Sequence, residues 1–439
     1  MSSLQGATKE PLPNPLQSRG REGDRAFHPS FGGGGGGLWF LTLFAAEEIP
    51  AAIVTYVALL MLLQLGVAPA EATFCSSLLF VPWVLKSFMR PWVRRVGLFK
   101  QMLHIIEAML FVSLMLLAFS FNKGPVAVFF VLLLVSFLCA WHELTARMYY
   151  ERMLRPVFQR MFTAPKLVAS QVAVIFTYGA LIFLVGILQV YFRQIRYSWS
   201  MGCYVVAGLF LLFTLLHMRT LSDSRLKREK EDSSPSRCSW VGSWNWVKPL
   251  LILIFLLLPQ GLMFFARVLY LYCPHEEGGL QCTIQEIGFA QGTIGVIAFS
   301  LGLFMGRRLI KHYSLERLFW PMVVCIVLSP FVYYGMTIRP PESLLQLCMC
   351  TMTAQLLFGL GLGVCRLPIS EISGTRYRNT INMLQIPLVS VAMIVPMAIS
   401  GWMVEQMGYN TYFLVNALSA PVCLLGVYLL RRREKPPTL

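Results

Sequence analysis

The sequence predicts an all-α integral membrane protein with twelve transmembrane helices in two six-helix halves. Hydrophobic residues make up 56% of the 439 residues and charged residues only 13%, whereas soluble domains carry about 25% charged residues. The hydrophobic residues form blocks of about twenty, which is the length that a helix needs to cross a bilayer. Basic residues collect in every second loop. This composition excludes an ordinary cytosolic enzyme.

Twelve apolar runs, each bounded by charged residues, Pro or Gly, give the predicted spans in order. They cover residues 38–63, 70–88, 98–119, 125–145, 166–191, 199–218, 248–272, 284–305, 318–337, 344–367, 381–403 and 412–430. A polar, Ser-rich stretch separates the first six runs from the last six.

The distribution of positive charge predicts the topology. Most of the 37 Lys and Arg residues lie in the N-terminal tail, in the loops after even-numbered spans and in the C-terminal tail. Because cytoplasmic loops are enriched in Lys and Arg, we expect both termini to be cytoplasmic. Attraction to anionic lipid headgroups accounts for the net charge of +16. We therefore expect the lipid bilayer, and no nucleic acid, as a partner.

The predicted domain organisation has five parts. Residues 1–37, which include six consecutive glycines, form a disordered cytoplasmic tail. Residues 38–218 form the N-terminal six-helix half, 219–247 a cytoplasmic linker, 248–430 the C-terminal six-helix half, and 431–439 a basic cytoplasmic tail. Two six-span halves joined by a long linker are the layout of the major facilitator fold, which moves solutes by alternating access.

Ionisable side chains within the spans are costly to bury and by default mark function. Glu47 and Glu48 lie roughly halfway across the first span, and His104 and Glu107 are neighbours on one helix face. A carboxyl in a poorly solvated site can bind a proton on one side and release it on the other. Two structural alternatives stay open: Glu107 and His104 form a satisfied pair, or Glu143 forms a helix-end ion pair with Arg147. The candidates for proton coupling are Glu47, Glu48, His104, Glu107 and Glu143.

A second set of side chains is suited to binding a substrate. Thr55 follows Glu48 by seven residues and is expected to share its helix face. Arg267 either binds a substrate anion through a bidentate pair or extends to the outer headgroups. The full set is Thr55, Trp83, Lys86, His142, Gln260, Arg267 and Glu371.

Short basic turns follow the second and the eighth span, at equivalent places in the two halves. Small residues along the eighth span allow close helix packing, either static or as part of a moving interface. The gating candidates are Arg90, Pro91, Arg94, Gly302, Gly306, Arg307 and Arg308.

The sequence carries no enzyme signature, since it has no GxSxG, no phosphate-binding loop and no HExxH motif. We therefore expect no enzymatic activity, no cofactor and no metal site. The eleven cysteines are scattered. Cys273 and Cys282 share one predicted outer loop, where a disulfide would form if that compartment is oxidising.

Six stretches together resemble the AmpG-type permease branch of the major facilitator superfamily, especially its Bacteroidetes-like members. They are FAAEEIP (44–50), LLFVPWVLKSFMRPWV (78–93), CAWHELTARMYYERM (139–153), IGFAQGTIGVIAFSLGLFMG (287–306), PISEISG (368–374) and SGWMVEQMGYNTYF (400–413). The resemblance implies a monomeric transporter that imports a small-molecule substrate, an anhydro-muropeptide, together with protons across the inner membrane.

The sequence departs from this family at two acids. The family's P-x-x-D turn is Pro91-Trp92-Val93-Arg94 here, and the second acid at the end of the fourth span is Arg147. Because both changes replace an acid by a base, two alternatives stay open. The protein transports another solute, by uptake or efflux, or it is a non-transporting sensor derived from a permease.

Overall fold

A computed structural model describes the protein over residues 39–154, 161–221, 247–313, 315–365 and 378–432. The predicted tail 1–37, nearly all of the predicted linker 219–247, the last seven residues of the predicted C-terminal tail and the candidate Glu371 lie outside the described residues.

The described residues form helices and turns without any strand, which confirms the predicted all-α class. The helices of the first half are α1 Trp39–Gln64, α2 with its two pieces Pro69–Leu78 and Val81–Val96, α3 Phe99–Ser120, α4 Pro125–Met153, α5 Thr163–Phe192 and α6 Ile195–Thr220. Those of the second half are α7 Val247–Tyr272, α8 Ile284–His312, α9 Leu315–Ile338 and α10 Leu344–Cys365. The final helical stretch Arg378–Arg432 breaks at Gly408, where φ is 73°. It therefore gives α11 (378–407) and α12 (409–432).

Nine helical stretches of the described residues are long and apolar enough to cross a bilayer. The parts Pro69–Lys86 and Phe88–Val96 of α2, bent by 55° relative to each other, give a tenth if they are counted as one span. Each predicted span coincides with one of the twelve helices. Several helices are longer than predicted, and α4 continues to Met153 rather than ending at Thr145. The difference arises because an apolar run matches only the thickness of the hydrocarbon layer, whereas the helix itself continues into the polar interface.

Proline and glycine mark several helix ends. Pro69 and Pro125 occupy the first turns of α2 and α4, where a missing N–H costs nothing. Gly97 ends α2 in the left-handed conformation, with φ 68°. Thr283 and Glu286 form a reciprocal capping box that begins α8. These local signals fix the lengths of the helices that surround the site.

The helices carry one apolar face towards the bundle and another towards lipid. On α3, Leu103, Leu110 and Leu114 are fully buried, whereas Ile105 and Val112 are about 60% exposed. Both faces are apolar, which is the pattern of a membrane span rather than of a soluble surface helix. The protein is therefore a multi-pass membrane protein.

The side chain of Gln64 ties three helices together at one end of the bundle. Its Oε1 accepts hydrogen bonds from Gln189 Nε2 of α5 and Trp199 Nε1 of α6, both at 2.7 Å. We call this end the Gln64 end, and the opposite end, which carries Arg94 and Arg95, the basic end.

The two halves meet along α5 and α8 without room for larger side chains. A Cβ atom at Gly292 of α8 would clash with the Tyr178 carbonyl of α5, and one at Gly179 would clash with the Thr293 hydroxyl. A Cβ atom at Gly186 would clash with Gln285 near the start of α8. The glycines therefore allow the halves to approach between mid-depth and the Gln64 end.

A second contact between the halves joins α2 and α11. A Cβ atom at Gly401 would lie only 2.6 Å from the Pro69 carbonyl oxygen. Nearby, Glu405 accepts a hydrogen bond from the Ala70 backbone N–H at 2.9 Å. Glu405 thereby satisfies one of the free N–H groups at the start of α2, and it does so from the other half of the molecule.

Candidate functional site

A central cavity lies between the two halves, with about 490 Å³ of space that includes its opening to solvent. Tyr56 of α1 and Tyr178 of α5 line it from the first half. Arg267 of α7, Gln291 of α8 and Gln355 of α10 line it from the second. A mostly apolar cavity with a few convergent polar groups is the usual form of a small-molecule site.

Aromatic rings form one wall of this cavity. The rings of Tyr56 and Tyr178 stack with centroids 5.1 Å apart, and Phe264 of α7 packs against Tyr56 at 5.7 Å. The wall therefore contains side chains of both halves. It presents flat, polarisable surface to an apolar or ring-shaped part of a ligand.

Arg267 supplies positive charge to the cavity. Its guanidinium lies over the Phe264 ring, 5.3 Å from the centroid, and its buried Nε atom has no hydrogen-bond partner. Among the described residues no carboxylate forms an ion pair with it. A partly buried cation without a protein counter-ion is suited to an anionic ligand.

A row of glutamines completes the polar lining. Gln355 donates to Gln291 at 3.3 Å, and Gln291 donates to the Tyr333 hydroxyl at 2.8 Å. On the opposite side, the Ser300 hydroxyl of α8 donates to Gln171 of α5 at 2.9 Å. These amides can both donate and accept, so they are suited to hydroxyl and amide groups of a ligand.

Wide π-helical turns occur in three of the cavity-lining helices, at Ile53–Val57 of α1, Ile175–Leu181 of α5 and Gly288–Gly295 of α8. A π turn holds an additional residue, so it rotates the helix face that follows. The expected common face of Glu48 and Thr55 is accordingly displaced. Tyr56 lines the cavity, and the Thr55 hydroxyl instead donates to the Ala51 carbonyl at 2.9 Å.

The predicted acids Glu47 and Glu48 belong to a cluster of charges on the basic-end side of Tyr56, which we call the acid cluster. Its buried or half-buried members are Glu47, Glu48, Glu143, Lys86 and Lys166. Ser170 of α5 hydrogen-bonds Glu48, and the next residue, Gln171, lines the cavity. The cluster contains one carboxyl more than it has ammonium groups, so it can balance its charge by binding one proton.

Two of the predicted binding residues hold Glu143 of α4 in place. Lys86 of α2, only 5% exposed, forms an ion pair with it, and Trp83 Nε1 donates to it at 3.0 Å. The observed ion pair thus joins two helices, whereas the alternative from the sequence was a pair with Arg147 on the same helix. Arg147 lies at the exposed edge and acts on Glu143 only through its charge.

The predicted pair of His104 and Glu107 is part of a second buried cluster. Glu107 is 0% exposed. It contacts His104 of its own helix α3, His142 of α4 and His217 of α6. The structure thus places His142, a predicted substrate ligand, in this cluster instead of in the cavity wall.

The remaining candidates have separate positions. Gln260 is buried within the second half and donates to the Ile326 carbonyl at 3.4 Å. A Cβ atom at Gly302 would clash with the Leu356 carbonyl of α10, so this glycine serves packing within one half. Gly306 is buried, Arg307 and Arg90 are half-buried, and Arg308, Pro91 and Arg94 are exposed at the basic end. Cys273 and Cys282 are free thiols.

Several site residues were missed in the sequence. Lys166, the first residue of the predicted fifth span, is not among the candidates, yet its Nζ lies 3.8 Å from the centroid of the Phe44 ring and faces the acid cluster. His217 stands one residue before the predicted end of the sixth span, and an inventory of every histidine within the spans would have found it. Nothing local distinguishes Gln291 and Gln355 from other polar residues in helices.

Solved structures of membrane transporters are similar to the chain over nearly its whole length. A nucleoside transporter, NupG, matches with a TM-score of 0.68 and 15% identity, over 90% of this chain and 98% of that one. A bacterial homologue of the human lysosomal transporter Spinster, in an inward-facing and occupied conformation, matches with a TM-score of 0.69 and 13% identity, over 91% and 98%. A D-xylose–proton symporter matches with a TM-score of 0.66 and 12% identity, over 89% and 95%.

The chain has the major facilitator fold. This confirms the predicted class of twelve transmembrane helices in two six-helix halves. Identities of this size establish the fold alone, and the AmpG-type branch is not distinguished by them. No family model matches the sequence, and no curated protein matches it significantly. Within the major facilitator fold, the central cavity occupies the space between the halves, where solute sites of such transporters lie.

Proposed function

We propose that the protein is a secondary transporter that carries an organic anion by alternating access of its two halves, residues 38–218 and 248–430. The single observation that carries the proposal is Arg267, a cation in the wall of the cavity between the halves with no ion-pair partner in the described residues. The similarity to transporter structures supports the transport class. The positive charge of alternate loops supports cytoplasmic termini in an inner membrane.

The cavity lining favours an anion with both a polar and an apolar part. Arg267 would bind a carboxylate, the glutamines would bind hydroxyl and amide groups, and the stacked Tyr56 and Tyr178 would contact a ring face. An anhydro-muropeptide has all three features, since it combines a sugar ring, amides and carboxylates. The stretches that resemble AmpG-type permeases support the same substrate.

The acid cluster is the proposed site of proton coupling. Its extra carboxyl gives it capacity for one proton, and the Glu48 carboxylate lies close enough to Tyr56 to act on its hydroxyl electrostatically. A proton on Glu47 or Glu48 would change the charge next to the cavity, while Lys86 and Lys166 keep the remaining carboxylates paired. Proton binding and substrate binding are then coupled electrostatically.

The test is uptake of labelled anhydro-muropeptide by proteoliposomes, with and without an inward proton gradient. The expected result is gradient-driven uptake, reduced at least tenfold in Arg267→Gln, with the gradient dependence lost in Glu48→Gln. Lys123→Gln, at an exposed site on the Gln64 end, is the matched control and should transport normally. Uptake that ignores the gradient would overturn the coupling proposal while keeping the substrate.

A non-transporting sensor is the second candidate function. Arg94 and Arg147, which stand where the resembled family has acids, favour it because those acids contribute to gating and coupling there. A sensor would bind the muropeptide, with Arg267→Gln weakening binding, but would show no flux under any gradient. No binding and no flux together would contradict the proposed substrate and favour a transporter of another solute.

A further inference from the structure

Three of the six histidines of the chain converge on one buried carboxylate. Glu107 Oε1 lies 2.6 Å from His217 Nδ1 and 3.4 Å from His142 Nε2. Its other oxygen, Oε2, lies 3.9 Å from His104 Nδ1. Glu107, His142 and His217 are at most 1% exposed, and His104 is 22% exposed. We call these four residues the histidine cluster.

The proposed transport mechanism makes no use of the histidine cluster. It lies within the first half, and none of its residues lines the central cavity. The groups that act on Glu107 are His104 from its own helix α3, His142 from α4 and His217 from α6. From α1, Thr42 faces His217. Within the described part of the chain, no group of His, Cys, Asp and Glu residues has a geometry that could hold a metal ion.

The charges of the histidine cluster favour the binding of a proton. Away from water, a carboxylate is stable only when a positive charge or several hydrogen bonds compensate it. Three neutral imidazoles around Glu107 leave the cluster with a net negative charge. One added proton on an imidazole makes it neutral, whereas a second would again leave a buried net charge. The cluster is therefore suited to binding a single exchangeable proton.

A hydrogen bond between Thr42 of α1 and His217 of α6 links this proton to helix α1. Thr42 Oγ1 donates to the Trp39 carbonyl at 3.1 Å and lies 3.1 Å from His217 Nε2. In the imidazolium form His217 donates through both nitrogens, to Glu107 and to Thr42, and the Thr42 hydroxyl keeps its hydrogen bond to the Trp39 carbonyl. If His217 loses its proton, the Thr42 hydroxyl must turn towards Nε2 and release the Trp39 carbonyl.

We propose that the histidine cluster is a proton-binding site, distinct from the acid cluster, whose proton sets how α1 is attached to α6 at the basic end. His104 is the member nearest the surface, and both of its ring nitrogens are buried. Glu107 and His142 balance the charge of the site. The protonation state of His217 determines the direction of its hydrogen bond with Thr42. The inference does not depend on the identity of the transported solute.

The first experiment uses the wild-type protein, labelled with ¹⁵N-histidine and reconstituted in liposomes. Solid-state NMR between about pH 5 and pH 8, the range in which histidine changes charge, reports the protonation of both nitrogens of each ring. The expected result is that His142 and His217 titrate together, and that His217 has two protonated nitrogens at the acidic limit. Histidines of the cluster that keep one protonation state throughout would overturn the proposal.

The second experiment follows the melting temperature of purified variants over the same pH range. A site that binds a proton in the folded protein makes stability depend on pH. Loss of the proton leaves the Glu107 carboxylate uncompensated, so the wild type should lose about 2–4 °C on going from pH 6 to pH 8. Glu107→Gln and His217→Gln should reduce this dependence at least about twofold.

The matched control is His275→Gln. His275 lies in the exposed loop before α8, where its Nδ1 is 2.9 Å from the Gly279 carbonyl oxygen, and its replacement should leave the pH dependence at the wild-type value. An unchanged pH dependence in both cluster variants would overturn the proposal. Neither experiment involves a solute, so an intact pH response without uptake would contradict the proposed transport alone.

Discussion

At the residue scale, Arg267 places a positive charge in the wall of the cavity. Its side chain projects among Tyr56, Tyr178 and Phe264, away from any carboxylate of the described chain. A hydrogen bond to a charged group contributes about 1.5–3 kcal/mol, which is about tenfold or more in affinity.

We expect Arg267→Gln to weaken binding of an anhydro-muropeptide at least about tenfold, because the charge is lost. Arg267→Lys should retain part of the affinity, since an ammonium keeps the charge but not the two-pronged geometry. Isothermal titration calorimetry with the acid and with its methyl ester measures both effects. The ester has no charge at the carboxyl, so equal affinity of the wild type for acid and ester would contradict the role of Arg267.

The ion pair of Lys86 and Glu143 is a second residue-scale feature with a measurable effect. Lys86→Met leaves Glu143 without its partner in a site that water hardly reaches. We therefore expect the free energy of unfolding to fall by about 3–5 kcal/mol. Adding Glu143→Gln should restore most of this stability, because it removes the unpaired charge and keeps an acceptor for Trp83. Denaturant unfolding of the single and double variants gives the coupling. Lys123→Met, at an exposed site, should change stability by less than about 0.5 kcal/mol.

The thiol of Cys282 should react slowly at neutral pH. It lies in the loop between α7 and α8, where burial, with a contribution from the Glu286 carboxylate, raises the pKa of the Cys282 thiol to about 12. Only the thiolate reacts, so maleimide labelling of Cys282 should rise about tenfold for each unit of pH above 7. Peptide mass spectrometry without reductant measures the labelling and detects any Cys273–Cys282 disulfide. Labelling as fast as that of free glutathione at pH 7 would contradict this prediction.

At the element scale, the crossing of α5 and α8 depends on having no side chain at Gly292. The backbone of Tyr178 occupies the place that a Cβ atom would need, and a backbone carbonyl cannot turn away as a flexible side chain can. The same two helices carry π turns at this depth. The crossing of α5 and α8 therefore determines both how closely the halves approach and how the cavity is reached.

We expect Gly292→Ala to separate the halves at the Gln64 end and to lower thermal stability. Electron paramagnetic resonance between spin labels at Lys123 and Arg339, both exposed at that end, should show a longer distance. Gly208→Ala is the matched control, because a Cβ atom there would have no neighbour within 4 Å. The control should be neutral or more stable by about 0.5–1 kcal/mol. An unchanged distance in Gly292→Ala would contradict a gating role for the crossing.

At the scale of the whole molecule, the distribution of charge predicts the orientation in the membrane. We expect an epitope tag at the C-terminus to resist protease in intact spheroplasts, because the basic end is predicted to face the cytoplasm. A tag inserted after Glu276, in an exposed loop, should be cleaved under the same conditions. Permeabilised cells, in which both tags are accessible, provide the control. Cleavage of the C-terminal tag in intact cells would reverse the predicted topology.

Much of the fold could be predicted from the sequence, because the length of an apolar run and the charge of the next loop are local properties. The clusters could not be predicted in the same way. Glu107 and His217 are 110 residues apart in sequence, and only the packing of α3 against α6 brings them together. Lys166 was missed for another reason: a charged residue at the edge of a predicted span is expected at the membrane interface, whereas the rings of Phe44 and Tyr150 provide a favourable surface for the ammonium inside the bundle.

Helix α1 is held at both of its ends by the same neighbour. Thr42 meets His217 of α6 near the basic end, and Gln64 meets Trp199 of α6 at the other. A helix that is attached to its neighbour at two points bends most readily between them, at its weakest section. In α1 that section is the π turn Ile53–Val57, whose hydrogen bonds are the least regular and which carries Tyr56. Bending of α1 would therefore be concentrated at Tyr56, the residue that we propose contacts the solute.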